Sequence, residues 1–84
     1  MKTIWKFELD FGTTVIDVPQ GGEILTMQIQ ENIPCVWINI ESKNDKEKRT
    51  FATVGTGHPI EFKNKYIGTY QQGALVWHIL EVLK

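Results

Sequence analysis

One short segment concentrates the backbone and side-chain groups of this chain that could touch a ligand: Val54-Gly55-Thr56-Gly57-His58-Pro59-Ile60. Gly55 and Gly57 permit conformations in which successive N–H groups point into one concavity and bind anionic oxygens. Thr56 adds a hydroxyl and His58 a ring donor. The same glycines are equally typical of a sharp turn without a ligand. Both interpretations stay open from the sequence.

The segment matches no nucleotide-binding fingerprint. A dinucleotide fold needs a third glycine where Ile60 stands, and Pro59 blocks an immediate regular helix. A P-loop needs a Gly-Lys-Ser/Thr continuation, which does not follow. If the segment binds a phosphate, it does so as an irregular loop.

The two histidines and the single cysteine predict neither catalysis nor a metal site. His58, His78 and Cys35 lack the local spacing of a zinc site. Paired His-x-Thr/Ser motifs of phosphoesterases also fail, because both histidine triplets lack the hydroxyl. Cys35 follows Pro34 in an apolar strand, without the base and exposure a nucleophile needs. We therefore predict no catalytic residue, metal ligand or cofactor, and leave the question of enzymatic activity open while favouring binding.

Aromatic residues complete the predicted ligand site. An aromatic plane beside a phosphate-binding loop suits a nucleotide, with the base stacked on a ring and the phosphates on the backbone. Core packing is the competing role for every one of these rings. The predicted ligand-binding residues are Gly55, Thr56, Gly57, His58, Tyr66, Thr69, Tyr70 and Trp37.

Composition indicates one soluble domain spanning residues 1–84. The net charge of −1 gives no field to recruit long nucleic acid or an anionic membrane. Basic residues nevertheless cluster in the second half, from Lys43 to Lys65, as a solvated loop or a phosphate-facing rim. A lone cysteine and the absence of a signal peptide or apolar span favour the cytoplasm. So small a core makes a homo-oligomer plausible.

Strand signals dominate because apolar residues recur with period two. Residues 4–11 alternate, with Trp5, Phe7, Leu9 and Phe11 on one face. Residues 23–30 alternate again, with Leu25, Met27 and Ile29 inward. Residues 35–41 are apolar on both faces, which predicts a central strand. Shorter strands are predicted over residues 14–18, 49–54 and 66–70, the last with a bulge at Gly68.

The last segment, residues 73–84, is apolar at both odd and even positions and fits a buried strand or a buried helix. Its β-type residues, among them Val76, Trp77 and Ile79, favour a strand. The predicted fold is therefore all-β: an antiparallel meander of about six or seven strands forming a sandwich or a partly open barrel. Strand order does not follow from the sequence.

Three stretches together resemble small uncharacterised proteins of tailed bacteriophages and prophages. They are Met1-Lys2-Thr3-Ile4-Trp5-Lys6, the Gly-Thr-Gly-His-Pro-Ile run at 55–60, and residues 66–78 from Tyr66-Ile67-Gly68-Thr69-Tyr70 to Trp77-His78. The resemblance covers nearly the whole chain and implies a phage accessory protein acting in the host cytoplasm. It carries no assigned activity and no catalytic residues.

Two functions follow as expectations. The first is a binding protein that sequesters a small nucleotide-type signal of host immunity, with residues 56–58 near phosphate and tyrosine or tryptophan rings near the base. The second is an interaction module that docks on a host defence protein or serves as a virion component. An enzyme that degrades such a signal is the third alternative. The identity of the ligand and the oligomeric state stay open.

Overall fold

A computed structural model describes residues 1–83 and contains seven β-strands and no helix over that range. The described residues therefore include no helix that could cross a membrane. The all-β class predicted from the alternating pattern is confirmed, and Leu75–Val82 form a strand rather than a helix. The strands are β1 (Lys2–Glu8), β2 (Thr13–Pro19), β3 (Glu23–Gln30), β4 (Ile33–Glu41), β5 (Lys46–Gly55), β6 (Asn64–Gln72) and β7 (Leu75–Val82).

The strands form two antiparallel sheets packed as a sandwich. The three-stranded sheet has the order β1-β4-β3, and the four-stranded sheet has the order β2-β5-β7-β6. The prediction that residues 35–41 form a central strand is confirmed, since β4 lies between β1 and β3. Sequence neighbours pair only in the β3–β4 and β6–β7 hairpins. The remaining connections pass between sheets or over a strand, so the connectivity is more complex than an up-and-down meander.

The connection from β5 to β6 crosses over a strand. Both β5 and β6 pair antiparallel with β7, so they run parallel to each other on its two sides. β5 ends opposite Trp77, whereas β6 begins opposite Val82. The connecting residues must therefore return along the whole length of β7. We call residues 56–63 the strap.

The core lies between the two sheets and takes alternate residues from each strand. In β4, Val36, Ile38 and Ile40 are buried in it. In the four-stranded sheet Phe51 and Ile79 point inward, which leaves the opposite parity on what we call the outer face. His78 and Leu80 belong to the outer face, because they alternate with Trp77, Ile79 and Glu81 along β7.

A β-bulge in β6 changes the face on which its residues lie. Tyr66 is opposite Leu80 and Gly68 is opposite Ile79, so Ile67 is an extra residue in the ladder. The bulge predicted at Gly68 is thus confirmed. A Cβ at Gly68 would overlap the side chain of Met27 from the other sheet, so the close approach of the two sheets requires glycine here.

Two apolar residues predicted to point inward do not, and a third is only partly covered. Phe11 lies beyond the end of β1 and is 70% exposed, packing edge-on against Trp77 with ring centroids 4.7 Å apart. Leu25 is 47% exposed because a register shift between Ile24 and Thr26 interrupts the alternation of β3, and Ile24 packs against the core in its place. Ile29 lies on the same face as the buried Met27, but it is 39% exposed near the end of β3, which is an edge strand.

One ion pair lies at the edge of the core. Arg49 of β5 and Glu81 of β7 form two hydrogen bonds, with Nε–Oε2 at 2.6 Å and Nη2–Oε1 at 2.8 Å. Arg49 Nη1 also donates to the backbone carbonyl of Gly22 at 2.5 Å. The Glu81 carboxylate raises the pKa of Arg49, mainly through this hydrogen bonding. The guanidinium therefore joins the four-stranded sheet to the turn that leads into β3.

Removing one partner of this pair should destabilise the fold strongly. Glu81→Ala leaves a largely buried guanidinium without its carboxylate, and we expect a loss of about 3–5 kcal/mol in the free energy of unfolding. The double variant Arg49→Met, Glu81→Leu should recover most of that loss, because no unpaired charge remains. Urea unfolding of the three proteins measures both effects. A Glu81→Ala protein as stable as the parent would contradict this account.

Candidate functional site

A cavity of about 260 Å³ lies between the strap and the outer face of the four-stranded sheet. Val54 and His78 are paired across β5 and β7, and Tyr66 and Leu80 are paired across β6 and β7. These two neighbouring pairs form the sheet side, and the strap covers them. We call this cavity the strap pocket; its lining residues are Val54, Gly55, Thr56, Gly57, His58, Ile60, Tyr66, His78 and Leu80.

The strap begins with a tight turn built on Gly57. The N–H of His58 donates to the carbonyl of Gly55 at 3.1 Å, and Gly57 has φ of +90° at the third position of the turn. That combination is typical of a type II turn, which favours glycine there. The N–H of Thr56 donates to the carbonyl of Val76 at 3.2 Å. The N–H groups of Thr56 and His58 are therefore engaged within the chain, and the segment forms a sharp turn at Gly57.

Gly55 allows the His58 ring to approach the backbone of β5. A Cβ at this position would lie 3.0 Å from Cε1 of His58 and 3.1 Å from Cζ3 of Trp77. Any larger residue would displace one of the two rings. The glycine therefore fixes the place of His58 at the entrance to the strap.

A continuous chain of side-chain hydrogen bonds crosses the outer face and reaches the wall of the pocket. His78 Nε2 lies 2.7 Å from Thr56 Oγ1, and His78 Nδ1 lies 2.9 Å from Thr69 Oγ1. Thr69 Oγ1 is in turn hydrogen-bonded to the Tyr66 hydroxyl. At the other end, Thr56 Oγ1 is 3.4 Å from the carbonyl oxygen of Val76. Two strands, β6 and β7, are thus connected to the strap through one imidazole.

The tautomer of His78 decides what this chain offers to a ligand. With hydrogen on Nε2, the ring donates to Thr56, Thr69 donates to Nδ1, and Tyr66 donates to Thr69. With hydrogen on Nδ1, the directions reverse: Thr56 donates to Nε2, Thr69 donates to Tyr66, and the Tyr66 hydroxyl hydrogen is free. Tyr66 therefore accepts from a ligand in the first state and donates in the second.

The pocket is apolar in its floor and uncharged in its lining. Val54, Leu80 and Ile60 supply aliphatic surface, and none of the nine lining residues is Lys, Arg, Asp or Glu. Within the basic cluster Arg49 is paired with Glu81, and Lys48 lies 3.1 Å from Asp17. Over residues 1–83 no group of three or more His, Cys, Asp or Glu side chains could hold a metal ion. The arrangement suits a ring held by apolar contact and hydrogen bonds.

Six of the eight residues predicted to bind a ligand come together here. Five of them line the strap pocket, and Thr69 stands behind His78. Tyr70 does not take part, because the bulge turns it to the core face, where burial raises the pKa of its hydroxyl. Trp37 lies in β4 of the other sheet, opposite Lys6 and Thr26. Both therefore lie apart from the strap pocket.

The pocket also contains residues that the sequence did not single out as ligand contacts. His78 is central to the hydrogen-bond chain, and Val54 and Leu80 line the cavity beside it. His78 is half-buried on the outer face of the four-stranded sheet. Its partners depend on the pairing of Thr69 with His78. Gly73, a residue typical of turns, could have suggested a hairpin with this pairing. Because of the bulge, however, simple alternation does not predict the face on which Tyr66 lies.

Cys35 is fully buried on β4, and burial is the main cause that raises the pKa of its thiol. Its Sγ lies 3.4 Å from the carbonyl oxygen of Ile33. A buried thiol with a raised pKa is a poor nucleophile, because the thiolate is the reactive form. In the structure Cys35 packs inside the sandwich.

Thr69→Val should interrupt the chain behind His78 without altering the residues that line the pocket. The change leaves His78 Nδ1 and Tyr66 without their partner, and we expect about 0.5–1.5 kcal/mol less stability. Thr26→Val is the matched control, since this exposed threonine lies on the other sheet and its hydroxyl donates to the adjacent carbonyl of Met27. Denaturant unfolding compares the two variants. Equal losses in both would show that the chain contributes nothing of its own.

No curated protein and no solved structure matches this chain. A family of protein domains does match, and its description is "Domain of unknown function (DUF7352)". The match extends over residues 1–84, which is the entire sequence. The chain therefore belongs to the DUF7352 family.

Proposed function

We propose that this protein is a binding protein that holds a small nucleotide-type ligand in the strap pocket. The observation that carries the proposal is the combination of an apolar floor with a rim of linked hydrogen bonds in one cavity. A base has the matching character: two flat apolar faces, with donors and acceptors along its edge. The pocket would therefore read the base, and the phosphates would remain outside it.

The size of the cavity limits how much of the ligand it can enclose. Cavities for drug-sized ligands are roughly 300–1,000 Å³, and the strap pocket is about 260 Å³. It therefore has room for one ring system and not for a whole dinucleotide. Tyr66 lines this pocket and is 58% exposed, so its ring is available for contact with an entering base.

The hydrogen-bonded residues at the rim of the pocket support ligand recognition rather than catalysis. They are Thr56, His78, Thr69 and Tyr66. Both nitrogens of His78 are hydrogen-bonded to threonine hydroxyls, so the ring is held in one orientation by neutral partners. The histidine of a catalytic triad has a carboxylate on Nδ1 that stabilises the imidazolium, whereas Nδ1 of His78 faces the neutral hydroxyl of Thr69. Binding without chemistry is the function this geometry supports best.

We propose that the protein acts in a phage-infected cell. The resemblance to small tailed-phage proteins supports an accessory role in the host cytoplasm, where a ligand of this class would be a nucleotide signal of host immunity. Sequestration needs only affinity and abundance, which a small rigid sandwich can supply. The proposed protein is thus a sponge for such a signal.

A nucleotide panel tests this function. Cyclic mononucleotides, cyclic dinucleotides and ADP-ribose are titrated into the protein by calorimetry and in thermal shift. A ligand present at about 100 times its Kd should stabilise the fold by about 2.7 kcal/mol. Tyr66→Phe keeps the ring but removes the hydroxyl of the rim, and we expect about tenfold weaker binding.

Tyr70→Phe is the control, because it removes a hydroxyl from the only other tyrosine, which faces the core. It should bind as the parent does. The proposal fails if no nucleotide of the panel stabilises the protein, or if the two tyrosine variants weaken binding equally.

A second candidate, docking on a host or virion protein, is favoured by exposed apolar side chains on the outer face. Val15 is 54% exposed on β2, and Ile60 of the strap is 46% exposed. Single exposed apolar residues are ordinary, but these share one face with Tyr66. A partner protein or a second copy of the chain would cover them.

Val15→Glu tests this second function, because a buried unpaired carboxylate would oppose docking. Ile4→Glu is a close control, since Ile4 is also 54% exposed but belongs to the other sheet. A specific partner recovered from infected cells should be lost with Val15→Glu and retained with Ile4→Glu. Recovery that is unaffected by either change would exclude this face as the docking surface.

A further inference from the structure

A second cavity of about 290 Å³ adjoins the strap pocket at the end of the sandwich. It lies where the β6–β7 hairpin turns, and Ala74, Leu75, Val76 and Trp77 line one side of it. Phe11 packs edge-on against the Trp77 ring. This cavity is thus bounded by an aromatic ring and aliphatic side chains. Its character matches that of the strap pocket.

The two cavities share a wall. Gly55, Thr56 and His58 line both of them. His58 is exposed, and its ring is held against Gly55 as described above. An imidazole in that position can donate a hydrogen bond to a group that passes from one cavity to the other.

Neither cavity is large enough for a drug-sized ligand, since each falls below roughly 300 Å³ at about 260 and 290 Å³. Taken together, they fall within the range of such sites. Two small apolar cavities on either side of one polar residue fit a ligand of matching pattern: ring, polar link, ring.

We infer that the two cavities form one bipartite site, and that the ligand is a dinucleotide whose two bases occupy them while its phosphate link contacts His58. The inference rests on the proposed function and specifies its ligand class. The first base binds in the strap pocket, against Leu80 and Tyr66. The second base binds beside Trp77 in the cavity at the β6–β7 turn, which we call the hairpin cavity.

Paired titrations distinguish one compartment from two. AMP is compared with cyclic di-AMP, and GMP with cyclic di-GMP, by calorimetry. Because the second base binds as a tethered group, the dinucleotide should bind at least about tenfold more tightly than its mononucleotide. Ala74→Trp fills the hairpin cavity from an exposed turn position and should reduce the dinucleotide to the affinity of the mononucleotide, whose own binding stays unchanged.

Val54→Phe reduces the strap pocket and should weaken mononucleotide and dinucleotide alike. Ser42→Trp, an equally large change in the exposed β4–β5 turn at the opposite end of β5, is the control and should leave every affinity unchanged. Leu75→Glu serves as a second variant of the hairpin cavity, and circular dichroism checks that each protein is folded. Mononucleotide binding without a gain from the dinucleotide would overturn the bipartite site and leave the proposed function intact. Failure of both kinds of nucleotide to bind would overturn both.

Discussion

The pairing of β7 with both β5 and β6 is the constraint on which the rest of this structure depends. Two strands that flank a common antiparallel neighbour are parallel to each other, so the chain between them cannot be a tight hairpin. It has to return along the sheet, and here it does so over the outer face. A sheet face that would otherwise meet solvent is thereby partly covered. The pocket is the space left between the sheet and its cover.

The side chains at this site follow from the same register. The ladder sets Thr69 beside His78 and Val54 on its other side. One extra residue in β6 then turns Tyr66 to the outer face while Tyr70 points into the core. Because Tyr66 reaches Thr69 only through that bulge, the hydrogen-bond chain is a product of topology and register together. It also adds cohesion to the outer face, since it joins the strap to β6 and β7.

The sequence predicted the strands well, but it predicted poorly on which face of a sheet individual side chains lie. Period-two alternation predicted the strands, and the doubly apolar residues 35–41 predicted the central position of β4. The bulge in β6 was predicted at Gly68, but the register shift in β3 was not, because its position depends on cross-strand partners. That is why Leu25 was predicted to point inward although it is exposed, and why the inward position of Tyr70 was not foreseen. The glycine-histidine run lines the strap pocket, but the position of His78 beside it depends on the strand pairing and could not be read from the sequence.

The structure gives Gly55 and Gly57 roles that differ from the anion-binding role suggested by the sequence. As a sequence, Gly55 to His58 suggested backbone N–H groups directed at an anion. In the structure Gly57 makes a turn, and Gly55 gives room to the rings of His58 and Trp77. The structure therefore favours contact with a base over contact with a phosphate. The candidate site is formed by the strap and the sheet below it, and not by the loop alone.

Methyl NMR during a nucleotide titration tests the central claim most directly, namely that the ligand enters between the strap and β7. Ile60 and Leu80 report on the two sides of the strap pocket, and Ile4, on the far sheet, is the reference. Our account predicts that aromatic ring currents of a bound base shift the Ile60 and Leu80 methyl signals together while Ile4 stays in place. Shifts of Ile4 as large as those of Leu80, or no shift at Ile60 and Leu80 in the presence of a bound nucleotide, would contradict it.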